Sequence, residues 1–236
     1  MYSRTVNGQT LTFGVSGKLW KNALVMYDRE TGTLWSHLTG EALQGPLSGG
    51  QLEMVSAMPK IKWKDWKAQH PTTRVLTVRG RESLHTDRYA DYHLSDKTGL
   101  FEPETRDIRL GRKDMVIAVT AGALSKAYPL QRKHWKTGKK DVWKLIQDRI
   151  GEIPVVIFHN PQRYATAVYD RKRLDGDPLV FEESAEGYMA RDGAGNLWNL
   201  LTGKGPEGQQ LTPIPHVNIY WFAWVDFYPE TLLYPE

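Results

Sequence analysis

His37 and Glu41 lie close in sequence and could form an acid/base or ligand pair. His85-Thr-Asp87 and Asp91-Tyr-His93 each set an imidazole and a carboxylate two positions apart. In extended backbone each pair would project to one side, and two histidines with two carboxylates could hold a divalent metal. Basic residues interleave with tryptophans twice: Lys62, Lys64 and Lys67 surround Trp63 and Trp66, while Arg132, Lys133 and Lys136 flank Trp135. That mixture suits polyanions, nucleic-acid backbones or an anionic membrane surface. Each group also has a plain structural reading: a half-exposed strand histidine, a polar connector without a ligand, and a solvated charged face.

Other chemistry is excluded by residue type. Without cysteine there are no disulfides, thiolate metal sites or thiol nucleophiles, and the compartment is left open. No phosphate-cradling Gly-x-x-x-x-Gly-Lys, Gly-x-Ser-x-Gly elbow or His-Glu-x-x-His is present. A net charge of +4 over 236 residues is low for a dedicated nucleic-acid protein, which ranks nucleic acid low among the partners. The first residues contain no apolar leader, and no window approaches the roughly 18 apolar residues of a membrane span. Localisation therefore stays open.

The elements that must position these groups read as β-rich. Tyr2 to Phe13 alternates around Asn7-Gly8 and predicts a hairpin. Gly14-Val-Ser-Gly17 breaks the pattern, and Leu24–Tyr27 and Thr33–Leu38 flank a second turn at Asp28–Gly32. Lys60–His70, with Trp63 and Trp66 on one face and Pro71 behind, predicts a helix. Val75–Val78 reads as a strand, and 79–107 as a long charged connector. Asp114–Val119, Ile153–Phe158 and Ala165–Tyr169 read as strands, whereas Val142, Leu145 and Ile146 have helical spacing within Lys140–Arg149.

The pattern then returns. Asp28-Arg-Glu-Thr-Gly-Thr-Leu-Trp-Ser-His-Leu-Thr-Gly40 is answered by Asp192-Gly-Ala-Gly-Asn-Leu-Trp-Asn-Leu-Leu-Thr-Gly203, Tyr2-Ser-Arg4 by Tyr169-Asp-Arg171, and Trp63-x-x-Trp66 with Pro71 by Trp221-x-x-Trp224 with Pro229. Anchors recurring in one order predict an internal duplication. The expected fold is thus α+β, β-rich, with two homologous tandem units: 1–107, a truncated first unit plus connector, and 108–236, a complete second unit. Such a first unit would leave an unpaired edge near residues 2–6, to be covered by a second copy or an upstream partner chain. In the alignment of the repeats His37 corresponds to Leu200 and Glu41 to Lys204, while Lys62, Lys64, Lys67 and Gln69 become Tyr220, Phe222, Val225 and Phe227. The second helix is therefore apolar almost all round, which calls for burial or docking.

At Leu11–Gly17, Leu24–Gly32, Leu34–Ala42, Lys126–Leu130 and Tyr220–Trp224 the chain resembles the family catalogued as domain of unknown function 3179. The resemblance covers nearly the whole chain and implies no established activity. It also implies that longer relatives carry a Cys- and Pro-containing stretch ahead of their Tyr2-Ser-Arg4 equivalent and often look exported. The function expected from the residues is a non-catalytic binding or assembly module, oligomeric. The alternatives are a metal-dependent enzyme or metal-binding protein, using His37 and Glu41 or the 85–93 group with a divalent metal, and a polyanion-binding protein using the Lys/Trp clusters.

Overall fold

Asn7 (φ 50°) and Gly8 (φ 79°) both take left-handed backbone, the conformation a two-residue hairpin turn needs and Asn-Gly adopts at small cost. Across that turn Thr5–Val6 (β1) pairs with Gln9–Thr10 (β2). The structure, a computed structural model, describes residues 1–54, 61–75, 89–130, 143–172, 177–182 and 187–235. In chain order the further elements are Phe13–Trp20 (β3), Ala23–Asp28 (β4), Leu34–Ser36 (β5), Ala42–Gln44 (β6), helix Trp63–Gln69 (α1) and helix Ala90–Leu94 (α2). Then follow Met115–Ala121 (β7), Leu124–Pro129 (β8), Lys144–Ile150 (β9), Ile153–Asn160 (β10) and Ala165–Asp170 (β11). The chain closes with Met189–Arg191 (β12), Leu197–Asn199 (β13), Thr212–Pro213 (β14), His216–Tyr220 (β15), helix Trp221–Phe227 (α3) and Leu232–Leu233 (β16). Among the described residues strand accounts for 42% and helix for 11%, so the protein is β-rich as composition and periodicity predict.

Three four-stranded sheets carry the fold, ordered β3-β4-β5-β6, β14-β11-β10-β9 and β15-β7-β8-β16. Side chains of the last two meet in one core built on Ile117, Tyr128, Ile146, Val155, Ile157 and Val168. On the opposite face of β7 and β8, α3 packs Trp221, Trp224 and Val225 against Val116, Ala118 and Ala127. The outer face of β10 and β11 is closed by Phe181, Trp198 and Leu200. Leu11, Trp35, Ala42 and Leu52 form the smaller core beneath β3–β6.

Two local expectations are corrected. Residues 144–150 are a strand, pairing antiparallel with β10 from Ile150↔Ile153 to Lys144↔His159. The helical spacing arose because Asp148 occupies a core-facing position between Ile146 and Ile150, opposite Val155. That acid is tolerated there because Lys126 Nζ (2.6 Å) and the Tyr128 hydroxyl (2.8 Å) both reach it. Residues 14–17 do not interrupt a strand either. β3 runs through them with a register shift between Val15 and Leu19, where Gly17 sits at φ 75°, a bulge that only glycine enters freely. The strand expected at 75–78 lies outside the described residues apart from Val75.

Local geometry recurs between the two halves. The Trp35 indole donates to Asp28 Oδ2 at 2.8 Å, and the Trp198 indole to Asp192 Oδ2 at 3.0 Å. Phe13 meets Trp35 edge-on at 5.9 Å, as Phe181 meets Trp198 at 5.9 Å. Gln51 Nε2 donates to Thr39 O and Gln210 Nε2 to Thr202 O, each at 2.6 Å. Gly40 (φ 75°) and Gly203 (φ 71°) close against Tyr2 and Tyr169, where a Cβ would stand 2.7 and 2.9 Å from the ring. The Trp66 indole donates to Thr73 Oγ1 at 3.0 Å, and the Trp224 indole to Thr231 Oγ1 at 2.9 Å.

Candidate functional site

Helix α1 begins after Lys62 and ends at His70 (φ −129°, ψ 68°); α3 begins after Tyr220 and ends at Tyr228 (φ −131°, ψ 70°). The two helices are alike in length and caps, yet their surroundings differ. Trp221, Phe222, Trp224, Val225 and Asp226 of α3 are buried, while no residue of α1 is. Trp221 is fully sealed, and its counterpart Trp63 is 49% exposed. One flank of α1 rests on the β10–β11 turn: Lys62 Nζ donates to Gln162 O and stands 4.9 Å from the Tyr164 ring, and Asp65 pairs with Arg163 at 3.3 Å. Lys64 and Lys67 are exposed and, among the described residues, have no ion-pair partner.

Residues 2–4 have ladder contacts on one side among the described residues. Ser3 N–H donates to Glu53 O at 2.8 Å, and Tyr2 bridges Met54. In the other half, β11 is paired on both sides, with β14 at Tyr169↔Pro213 and with β10 at Tyr169↔Val156, and Arg171 N–H donates to Pro154 O at 2.9 Å. Among the described residues nothing plays the part of β10 for residues 2–4. Tyr2 is anchored by donating to Leu38 O at 2.6 Å, and burial pushes its hydroxyl up to about 12.

The residues singled out for chemistry are dispersed. His37 is exposed, and its Nδ1–H donates to Leu24 O at 2.7 Å. Glu41 lines a cleft of about 450 Å³ with Lys18, Trp20 and Gln44. Among the described residues no hydrogen bond or ion pair joins His37 to Glu41. Asp91 and His93 fall on α2; Asp91 is exposed, and His93 Nδ1 contacts the Tyr220 hydroxyl at 2.7 Å. His85, Asp87, Arg132, Lys133 and Lys136 lie outside the described residues. Among those described, no group of three or more His, Asp or Glu could hold a metal.

The structure adds a polar group that alternation alone did not single out. Asn218 Nδ2 donates to Thr166 Oγ1 at 3.2 Å, and His159 Nδ1 contacts the same oxygen at 3.0 Å. His216 Nδ1–H donates to Ile214 O at 2.9 Å, and its Nε2 is sealed from solvent beside the Thr166 backbone; Asn218 Oδ1 is sealed too and has no hydrogen-bond partner among the described residues. Burial drives His216 down and takes His159 to about 4, so both rings are neutral at physiological pH. A sequence signal existed: His159 follows Ile157 by two positions, so period-two alternation carries it onto the core face.

The model of a family described as Protein of unknown function (DUF3179) matches residues 1–231. No curated protein and no solved structure matches the chain.

Proposed function

The chain belongs to the DUF3179 family, and on that premise we propose that it is a non-catalytic assembly module, a duplicated unit whose first copy docks on a second molecule of the protein. The duplication, with units 1–107 and 108–236, is supported by the recurring Asp–Trp, Phe–Trp, Gln–Thr and Trp–Thr contacts. Unrelated segments have no reason to repeat side-chain bonds of one geometry in one order. The observation that carries the docking is Trp63, 49% exposed on a helix whose twin buries the same residue completely. An uncovered indole of this kind leaves roughly 100 Å² of apolar surface in water, worth about 2–3 kcal/mol if buried.

The ladder at residues 2–4, one-sided among the described residues, supplies direction. An edge strand meeting its own copy antiparallel about a twofold axis is self-complementary, which favours a second copy over an unlike partner. Light scattering and sedimentation at tens of micromolar should then report twice the 27.0 kDa chain mass. Trp63→Lys, and separately Arg4→Pro, should return the mass to that of one chain while circular dichroism keeps the β signature. A wild-type protein that stays at 27.0 kDa over this range would dispose of self-assembly.

A further inference from the structure

Outward from α3 lies a cleft of about 520 Å³, lined by Arg106, Ile108, Leu110, Arg112, Phe222 and Val225 among others. Residues 103–112 form its outer wall as a strap held at several points. Glu104 and Thr105 N–H groups donate to the buried Asp226 carboxylate at 3.2 and 2.7 Å. Phe222 N–H donates to Arg112 O at 3.0 Å, and Arg109 Nη1 reaches Thr231 O at 3.0 Å. The floor is peculiar to this half of the chain. Phe222 and Val225, 5% and 1% exposed, stand where α1 carries the exposed Lys64 and Lys67.

Hydrogen-bonding capacity in the cleft is one-sided. Asp107 is saturated by Arg109, which gives it its backbone N–H (2.9 Å), Nε (2.9 Å) and Nη2 (2.6 Å). Among the described residues the Arg112 side chain is joined only to Glu102, at 3.2 Å, with side chains 58% and 81% exposed, a surface pair of little strength. Arg106 makes no ion pair or hydrogen bond among the described residues. Two guanidinium groups thus offer donors in excess of local acceptors, above an apolar floor. The volume lies within the roughly 300–1,000 Å³ of small-molecule sites.

We infer that this cleft binds an amphipathic carboxylate, its head on Arg106 and Arg112 and its hydrocarbon on Phe222, Val225, Leu110 and Ile108. The inference stands apart from the assembly reading, since α1 and residues 2–4 take no part in it.

Calorimetric titration with decanoate, decanol and acetate tests it on the intact chain. Decanoate should bind, and decanol and acetate should each bind at least about tenfold more weakly, because each lacks one half of the recognition. Arg106→Gln and Arg112→Gln should each weaken decanoate about tenfold. Ile108→Ser, at a residue 85% exposed and so harmless to folding, should weaken it several-fold, and Lys64→Gln should change nothing. Decanol binding as well as decanoate, or decanoate affinity surviving the double arginine variant within about twofold, would overturn the inference. Retention on anionic vesicles without any decanoate binding would overturn it too, in favour of a membrane surface.

Discussion

Replacing Asp28 or Asp192 by alanine removes the carboxylate on which a buried tryptophan and a turn both depend. Asp28 accepts from Thr31 N–H at 2.6 Å, the Thr31 hydroxyl at 2.8 Å and the Trp35 indole at 2.8 Å. Asp192 accepts from Ala194 and Asn196 N–H groups at 3.0 and 2.9 Å, Asn196 Nδ2 at 3.1 Å and the Trp198 indole at 3.0 Å. Trp35 and Trp198 are 0% and 3% exposed, so after truncation each indole N–H is stranded without a partner. That alone costs about 1–3 kcal/mol, and losing the charge-assisted bonds to the turn adds about 1–2 kcal/mol, since the freed turn groups can reach water. The expected total is about 2–5 kcal/mol for either variant, similar between them within about 1 kcal/mol because each strands one sealed indole N–H and frees turn groups that can reach water.

The sign with pH follows from the carboxyls. Burial raises both, but the indole and turn hydrogen bonds outweigh it, and each is held below the ordinary aspartate value. A depressed folded pKa contributes stability that is complete above the unfolded value near 4 and is lost as pH falls through the folded one. Asp→Asn variants should therefore lose stability at neutral pH and approach wild type in acid. Urea unfolding followed by tryptophan fluorescence, with unchanged m-values, measures this. A cost below about 1 kcal/mol for Asp28→Ala, or an Asp→Asn deficit that grows in acid, would refute the reasoning.

Gly203→Ala should cost about 2–4 kcal/mol in the same assay, because the residue holds φ 71° and a Cβ would lie 2.7 Å from Gln210 Nε2 and 2.9 Å from Tyr169 Cε1. Gly8→Ala, at φ 79° in open space, should cost only about 1 kcal/mol of backbone strain. His159 is lowered by burial from 6.5 to about 4, so its neutral ring contributes stability complete above pH 6.5 and withdrawn as pH falls through about 4. Linkage puts that loss at roughly 3 kcal/mol, and in His159→Gln the urea midpoint should fall less between about pH 7 and pH 4.5.

Local chemistry was legible in the residues. Asn7-Gly8 names its turn, the paired Asp…Trp segments announce equal hairpins, and Trp63-x-x-Trp66 and Trp221-x-x-Trp224 both become seven-residue helices, since each is decided by neighbours a few positions away. The strand at 144–150 was not legible, because Asp148 breaks the apolar alternation and only Lys126 and Tyr128, brought up by β8, make an acid tolerable there. His37 and Glu41 were legible as residue types, but nothing in their spacing shows whether the two side chains meet. Likewise α1 and α3 are near-identical as local structures. One is exposed and the other sealed because burial is a property of what a distant segment lays against a face, and β7, β8 and residues 103–112 are laid against only one of them.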